Sequence, residues 1–210
     1  MGEIILVRHG ETEWSASGRH TGHTDIPLTE AGEQQAREAG ALLLELRKNG
    51  HRIAAAWSSP AARAKRTAEL AGITLDATDP DLWEWDYGGY EGKTTAEIQQ
   101  DRPDWFLWTD GVPAGGPGGF PGETIDQVGA RCDRVIARVR PLVDPRSPNH
   151  LDGDVALVAH GHYLRVLAAR WLSLPPADGA LFKLDTAAVS RLGFEHERPV
   201  LSEWNTIPGQ

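Results

Sequence analysis

The chain has 210 residues, of which 40% are hydrophobic and 24% are charged, so it can bury a core and is not intrinsically disordered. Its formal net charge of −9 repels nucleic acid and anionic membranes, so neither is expected as a partner. An anionic ligand therefore requires a local cluster of basic residues.

Strand and helix patterns alternate from the N-terminus onward. Residues 3–8 (EIILVR) form an apolar run with β-branched side chains, which is typical of a central parallel strand. From residue 30 to residue 48, apolar side chains recur every three or four positions, which predicts an amphipathic helix with Thr29 as its N-cap. Residues 53–57 (IAAAW) predict the second strand.

The next helix is predicted to begin at Pro60, with Ser58 or Ser59 as its cap. A short helix is predicted at residues 94–101. Residues 110–122 (DGVPAGGPGGFPG) are so rich in glycine and proline that they predict a loop.

The second half of the chain repeats the alternation. The patterns predict a helix at about 123–143, a strand at 154–159, a helix to about 171 and two weaker strands at 186–194 and 198–204. Strands that alternate with helices predict an α/β fold, a three-layer α/β/α sandwich with a mostly parallel central sheet. No linker divides residues 1–210, so we expect a single domain with a loop excursion at about 101–122 near the site.

Two predicted strands end in a histidine followed by a glycine, at His9-Gly10 and at His160-Gly161, and Arg8 accompanies the first pair. Ligands of open α/β sheets bind beyond the carboxyl ends of the strands, so we expect these side chains at one site. The two glycines are expected to leave room for a ligand to approach the backbone. Burying three such polar groups without a ligand is costly, which favours a functional site over a structural role.

A zinc site is the alternative interpretation, because His20, His23, His160 and His162 are closely spaced in the sequence. These spacings lie in predicted loops, no cysteine is near them, and Arg8 beside the first strand-end histidine would repel a cation. We therefore expect no metal ion and no other cofactor.

At residues 8–12 the sequence RHGET resembles the signature of the histidine phosphatase superfamily, in the branch that contains the phosphoglycerate mutases. Further elements of the family pattern follow in the right order. They are SSPAARAKRTA (58–68), LWEWDYGGYEG (82–92), PGET (121–124) and VAHGHYLR (158–165). The resemblance spans nearly the whole chain and implies the phosphoglycerate mutase-like fold.

The resemblance also implies catalytic roles for five residues. His9 would attack phosphorus and form a phosphohistidine, since an imidazole is substantially unprotonated near pH 7. Arg8 and Arg63 would bind the phosphoryl oxygens through their guanidinium groups. His160 would donate to the same oxygens, so it is expected to be protonated or to turn its proton toward the phosphate. Glu84 would protonate the leaving alkoxide and then deprotonate the attacking water.

Aromatic neighbours set the expected protonation of Glu84. Trp83, Trp85 and Tyr87 flank it in sequence and are expected to desolvate its carboxyl group. Desolvation raises the pKa of a carboxyl group, as the role of an acid requires.

Further phosphate or substrate contacts are implied by position, namely Ser15, Thr21, Gly22 and His162. The first three would donate from hydroxyl or backbone N–H groups, whereas His162 either contacts substrate or packs at a helix N-terminus. Arg66 follows Arg63 by three residues and is its rival as phosphate ligand, but the spacing places Arg66 on a solvated helix face.

Departures from the mutase pattern favour hydrolysis. Trp85 stands where mutases carry arginine, and His162 stands where they carry asparagine. Residues 101–123 replace a long basic insert, so a bisphosphorylated cofactor would be poorly held. The resemblance implies a phosphatase of the histidine acid phosphatase type that acts on small phosphorylated metabolites and releases inorganic phosphate. A cofactor-dependent phosphoglycerate mutase and a non-catalytic protein that binds phosphorylated ligands are the alternatives.

Trp105, Phe106 and Trp108 belong to the long loop and have two interpretations. Their side chains either line a pocket for the leaving group or anchor the loop against the core. The sequence leaves both open.

The expected location is cytoplasmic. Cys132 is the only cysteine and cannot form an internal disulfide, which indicates a reducing compartment. The N-terminus shows no signal peptide, and no apolar run approaches the length of about 18 residues that a membrane span needs. The sequence is compatible with a monomer or a homodimer.

Overall fold

The computed structural model describes residues 2–116 and 118–207, so residue 117 of the Gly/Pro-rich loop and residues 1 and 208–210 lie outside the described residues. The strands are β1 Ile4–Arg8, β2 Ile53–Ser58, β3 Ala77–Thr78, β4 Asp154–Ala159, β5 Val189–Glu195 and β6 Arg198–Thr206. The α-helices are α1 Glu13–Ala16, α2 Glu30–Lys48, α3 Ala62–Leu70, α4 Thr95–Asp101, α5 Leu107–Asp110, α6 Ile125–Val143 and α7 Gly161–Trp171. Short 3₁₀ helices lie at Pro80–Leu82, Gly88–Tyr90 and Pro176–Leu181.

Six strands form one sheet in the order β3-β2-β4-β1-β5-β6. The pairs β1–β4, β2–β4 and β2–β3 are parallel, whereas β5 is antiparallel to both β1 and β6. The sheet is mostly parallel, as predicted. Its antiparallel edge is a hairpin, which needs only a short turn, whereas the parallel strands are joined by helices that cross over the sheet.

Helices cover both faces of the sheet and complete the predicted three-layer α/β/α sandwich. Side chains of β1 alternate between two core clusters: Ile4 and Leu6 belong to the cluster packed with α6 and α7. Ile5 and Val7 belong to the cluster packed with α2 and α3. A strand that is buried on both faces must be apolar at successive positions, which explains the continuous apolar run at the N-terminus.

The pairing of β1 with β4 places two distant histidines side by side. Arg8 lies opposite Ala159 in the register, and the backbone N–H of His9 donates to the carbonyl of Ala159 at 2.9 Å. The ring centroids of His9 and His160 are 5.2 Å apart. The strand-end interpretation is therefore confirmed for the position of both histidines.

The start of α3 differs from the sequence prediction. The helix begins at Ala62 with Ala61 at its N-cap, and neither Ser58 nor Ser59 caps it. The carboxylate of Asp25 instead accepts the backbone N–H of Ala62 with its two oxygens, at 3.0 and 3.2 Å. A cap supplied by a distant loop leaves no local signal in the sequence.

Asp25→Ala removes this acceptor and a negative charge from the N-terminus of α3. We expect the free energy of unfolding to fall by about 0.5–2 kcal/mol, as for the loss of other N-cap side chains. Urea denaturation followed by circular dichroism measures the change. Asp25→Asn keeps an oxygen for the Ala62 N–H and should retain most of the stability; equal losses in both variants would show that the charge alone matters.

The long helix α6 begins at Ile125 and not at residue 123, because Thr124 caps it and forms a capping box with Gln127. The loop before it contains α5, which the glycine and proline content did not predict. Trp108 lies in α5, Trp105 precedes this helix, and both side chains are buried. No helix of the described residues is long and apolar enough to cross a membrane.

Candidate active site

A cavity of about 440 Å³ lies where β1 ends and α7 begins. Arg8 and His9 line it from the end of β1, and Gly161 and His162 line it from the first turn of α7. Glu84 lines it from the loop after the first 3₁₀ helix. This is the edge of the sheet at which open α/β proteins bind ligands.

His9 is held in one tautomer and kept neutral. Its Nδ1 lies 2.7 Å from the carbonyl oxygen of Gly10, which only accepts, so Nδ1 carries the proton and Nε2 carries a lone pair. Burial lowers the pKa of His9 well below its usual range, and the charges of Arg63 and Arg8 lower it further. The imidazole is therefore unprotonated at neutral pH, as the predicted role of nucleophile requires.

Arg8 supplies positive charge beside His9. Its Nη1 donates to the carbonyl of Leu184, and its buried Nε has no hydrogen-bond partner among the described residues. Burial lowers the pKa of Arg8, while the negative charge of Glu84 raises it. A buried donor without an acceptor is costly, and an anion bound at this wall would reduce that cost.

The glycines that follow the two histidines serve packing within the protein, which corrects the expectation that they clear space for a ligand. A Cβ at Gly10 would lie 2.3 Å from the carbonyl oxygen of Gly32 in α2. A Cβ at Gly161 would lie 3.1 Å from Nε of Arg8. The first glycine allows the first turn of α2 to approach the chain after β1, and the second leaves space for the arginine.

Arg63 is fully buried behind the cavity, and its guanidinium forms hydrogen bonds to the loop that follows residue 20. Its terminal nitrogens donate to the carbonyls of Thr24 and Gly22 at 2.9 and 2.8 Å, and to that of Thr21 at 3.3 Å. Its Nε donates to Nδ1 of His160 at 3.3 Å. The structure thus brings Arg63 near His9 but engages its donors within the protein.

Arg66, the rival phosphate ligand, is solvated as predicted. It pairs with Glu33 and Glu69, each at 2.9 Å, and its side chain is 40% exposed. It does not line the cavity.

His160 does not turn its proton toward the cavity, which corrects the sequence expectation. Because Arg63 donates to its Nδ1, its proton is on Nε2, which lies 2.7 Å from the hydroxyl oxygen of Ser59. Burial lowers the pKa of His160 well below its usual range, with further lowering from Arg63 and His9, so the ring is neutral. His160 packs against His9 and orients the wall behind it.

Glu84 lies at the N-terminus of α7, where backbone donors converge on its carboxyl group. Oε1 accepts from Tyr163 at 2.7 Å and from Trp85 at 3.0 Å, and Oε2 accepts from His162 at 3.1 Å. These hydrogen bonds lower the pKa of Glu84, but burial raises it by more, so the net shift is upward. The predicted direction of the shift is confirmed, and burial is its cause.

Arg131 of α6 holds the loop that carries Glu84. It donates to the carbonyls of Trp83 and Glu84 at 2.8 and 3.1 Å, and it forms a two-pronged ion pair with Glu123 at 2.7 Å. The same Glu123 accepts from the backbone N–H of Asp86. Sequence reasoning missed this pair, although Glu123 lies within the quoted PGET element.

Ser15 and Thr21 line the cavity, but Gly22 does not. The hydroxyl of Ser15 donates to the carbonyl of Thr12, and that of Thr21 donates to the carbonyl of Arg19. The backbone N–H of Gly22 donates to the carboxylate of Glu91, at 2.9 Å to the nearer oxygen. The prediction of Gly22 as a phosphate donor is therefore corrected to a role in fixing this loop.

His162 packs at the N-terminus of α7, as one of its two interpretations predicts, and its contact with substrate stays a prediction. It lines the cavity, its backbone N–H begins α7 by donating to Glu84, and its Nδ1 lies 2.6 Å from the hydroxyl of Tyr87. Burial lowers the pKa of His162 well below its usual range, so it is neutral.

The three aromatic residues of the long loop all line the cavity, and two of them also anchor the loop, while contact with a leaving group stays a prediction. Trp105 and Trp108 are buried and line the cavity, while Phe106 lines it with half of its surface exposed. Arg165 is another residue of this wall, and sequence reasoning did not select it. Its spacing of three from His162 was the available signal, because residues three apart share a helix face.

The model of the histidine phosphatase superfamily (branch 1) matches residues 4–207. The chain belongs to the histidine phosphatase superfamily. This histidine phosphatase contains the family motif residues that the resemblance implied, and the structure places Arg8, His9 and Glu84 in the lining of one cavity.

Two relatives and a solved structure show how similar this histidine phosphatase is to known proteins. An acid phosphatase of Mycobacterium tuberculosis is 42% identical over 193 residues, which are 92% of this chain and 87% of that protein. A sedoheptulose 1,7-bisphosphatase of Saccharomyces cerevisiae is 38% identical over 190 residues, covering 81% of this chain and 67% of that protein. The structure of an open reading frame product from Mycobacterium tuberculosis superimposes with a TM-score of 0.86 at 40% identity over 98% of both chains. The predicted phosphoglycerate mutase-like fold and the prediction of a phosphatase are confirmed.

Proposed function

We propose that this phosphatase hydrolyses phosphomonoesters of small metabolites through a phosphohistidine on His9, as a phosphoric monoester hydrolase of the histidine acid phosphatase type. The observation that carries the proposal is the fixed tautomer of His9, whose Nδ1 lies 2.7 Å from the Gly10 carbonyl and whose Nε2 is free to attack. The cavity of about 440 Å³ has the size of small-molecule sites.

In the first step the Nε2 lone pair of His9 forms a bond to phosphorus, and the bond from phosphorus to the ester oxygen breaks. The electron pair of that bond stays on the leaving oxygen, which takes the proton of Glu84. Arg8 stabilises the charge on the phosphoryl oxygens. In this step Arg63 and His160 do not contact the phosphoryl group. They stabilise the loop and the cavity wall next to His9.

In the second step the carboxylate of Glu84 removes a proton from water, and the water oxygen attacks phosphorus. The bond from phosphorus to Nε2 breaks, which releases inorganic phosphate and restores neutral His9. Quenching of wild-type enzyme with alkaline denaturant during turnover, with detection by ³¹P NMR at alkaline pH, should show a phosphohistidine that disappears when the sample is acidified. The proposal would be contradicted if the enzyme hydrolysed its substrate while the phosphoryl group was found on a hydroxyl group, or was not found on the protein at all.

The pH dependence of kcat/KM follows from two pKa shifts. His9 must be neutral to attack, and its lowered pKa keeps it active well below pH 6.5, its usual pKa. Glu84 must be protonated, so activity is lost as the pH rises through its raised pKa. We expect a bell-shaped profile with an acidic optimum, measured with an alkyl phosphate. A profile that rises monotonically to alkaline pH would contradict these roles.

The mutase alternative lacks a cation at the position where the family's mutases carry arginine. Trp85 occupies that position, is fully buried in the core and donates from its indole N–H to the carbonyl of Glu123. No positive charge reaches the cavity from there. Added 2,3-bisphosphoglycerate should therefore not stimulate phosphoglycerate isomerisation, and stimulation would favour the mutase.

A further inference from the structure

The cavity contains a second positively charged group, the guanidinium of Arg165 in α7, which has no role in the proposed reaction. Arg165 lies three residues after His162, so the two side chains share a face of the helix, and both line the cavity. Its guanidinium stacks over Trp108, 4.6 Å from the ring centroid. Sequence analysis assigned no role to this arginine.

Arg165 is oriented by neutral groups. Its Nε and Nη2 donate to the carbonyls of Gly179 and Ala180 at 3.0 and 3.1 Å. A Cβ at Gly179 would lie 2.7 Å from the ring of Trp108, so the indole is packed tightly from behind. No carboxylate of the described residues is within ion-pair distance of Arg165, whereas Arg19 on the same cavity wall pairs with a glutamate at 3.3 Å. Glu84 raises the pKa of Arg165 through its charge, but it does so from beyond ion-pair distance.

Arg8 and Arg165 are held by different segments, since Arg8 donates to the carbonyl of Leu184 and Arg165 donates to those of Gly179 and Ala180. The charges that lower the pKa of His9 are those of Arg63 and Arg8, whereas the pKa of His162 is lowered by the charges of Arg165, His20 and Arg8. Burial also lowers the pKa of Arg165 itself. A partly buried cation without a counter-ion is unfavourable, and a bound anion would remove that cost.

We propose that Arg165, supported by Trp108, forms a subsite for a second anionic group of the substrate. The preferred substrate would then be a small phosphomonoester that also carries a second phosphate or a carboxylate, with the ester phosphate at His9 and the other anion at Arg165. The inference rests on the proposed function, because it assumes that the reacting phosphate binds beside His9. The second group stays intact during the reaction.

Arg165→Gln tests this subsite with four substrates. Fructose 1,6-bisphosphate and 3-phosphoglycerate carry a second anion, whereas glycerol 1-phosphate and p-nitrophenyl phosphate do not. We expect kcat/KM to fall roughly 10- to 100-fold for one or both of the first two, as for the loss of a charged hydrogen bond. For the other two the change should stay within about twofold, which also shows that the variant is folded.

Arg170→Gln is the matched control, because it makes the same charge change on the same helix. Arg170 pairs with Asp133 and does not line the cavity, so its loss should affect all four substrates equally and weakly. A loss confined to the bisphosphate would identify a phosphate at the subsite, and a loss confined to 3-phosphoglycerate would identify a carboxylate. Equal losses on all four substrates in Arg165→Gln, or no loss on any, would overturn the subsite. Failure of the proposed function is distinguishable, because wild-type enzyme would then release no phosphate from any of them.

Discussion

His9→Ala is expected to lower kcat for phosphomonoester hydrolysis by about 10⁴-fold or more. In the proposed reaction Nε2 of His9 attacks phosphorus, and the other histidines near it are not available to replace it. Nε2 of His160 carries a proton and lies 2.7 Å from Ser59, and Nδ1 of His162 lies 2.6 Å from Tyr87. The measurement is release of inorganic phosphate from p-nitrophenyl phosphate and from an alkyl phosphate.

Two controls make the result of His9→Ala specific. Binding of inorganic phosphate, measured by calorimetry, should persist because Arg8 remains, and persistence shows that the cavity is still formed. His196→Asn changes an exposed histidine at the turn between β5 and β6 and should retain wild-type activity. If wild type and His9→Ala release phosphate equally slowly, the catalytic interpretation is wrong and the protein binds phosphorylated ligands without turnover.

Glu84→Gln is expected to lower kcat by about 10²- to 10⁴-fold for alkyl phosphates, whose leaving oxygen needs a proton. The effect should be smaller on the phosphorylation step with p-nitrophenyl phosphate, since nitrophenolate leaves without protonation. Glutamine cannot deprotonate water, so the second step should become rate-limiting and phosphohistidine should accumulate on His9. Rapid-quench kinetics with both substrates measures the two steps separately.

Glu69→Gln provides the matched control for the Glu84 substitution. Glu69 is exposed at the end of α3 and contacts only Arg66 through its side chain among the described residues, so this change should leave both steps unaltered. A uniform loss on all leaving groups, without accumulation of phosphohistidine, would show that Glu84 positions α7 and does not transfer a proton. The hydrogen bonds from Trp85, His162 and Tyr163 make that outcome measurable as lower thermal stability.

Most of the fold was accessible from the sequence because its signals are local. The apolar run at residues 3–8 and the periodicity of residues 30–48 each specify an element through its own side chains. The two weaker C-terminal patterns also became strands, but only the structure showed them to be antiparallel. The predicted N-cap of α3 was wrong, because the helix N-terminus is bound by Asp25, which lies in a loop 37 residues away in the sequence.

The residues of the site were largely predictable, whereas several of their tasks were not. Their order along the chain carries the resemblance to the family, so His9, Arg8 and Glu84 could be named from it. Their tasks depend on which donors and acceptors meet in space. Arg63 donates to loop carbonyls, and the proton of His160 faces Ser59. Both contacts join segments that are far apart in the sequence.

Short-range patterns and motif order encode the layered α/β fold and the family, and they make His9 the predicted nucleophile. The tautomer of His9 that leaves a lone pair on Nε2, and the packing role of Gly10 and Gly161, depend on contacts that form only in the folded chain. The folded chain also shows Arg165 lining the cavity, where it donates to backbone carbonyls and has no ion pair among the described residues. The burial of a side chain and the charges around it depend on neighbours from every part of the chain, so both are set only when the chain has folded.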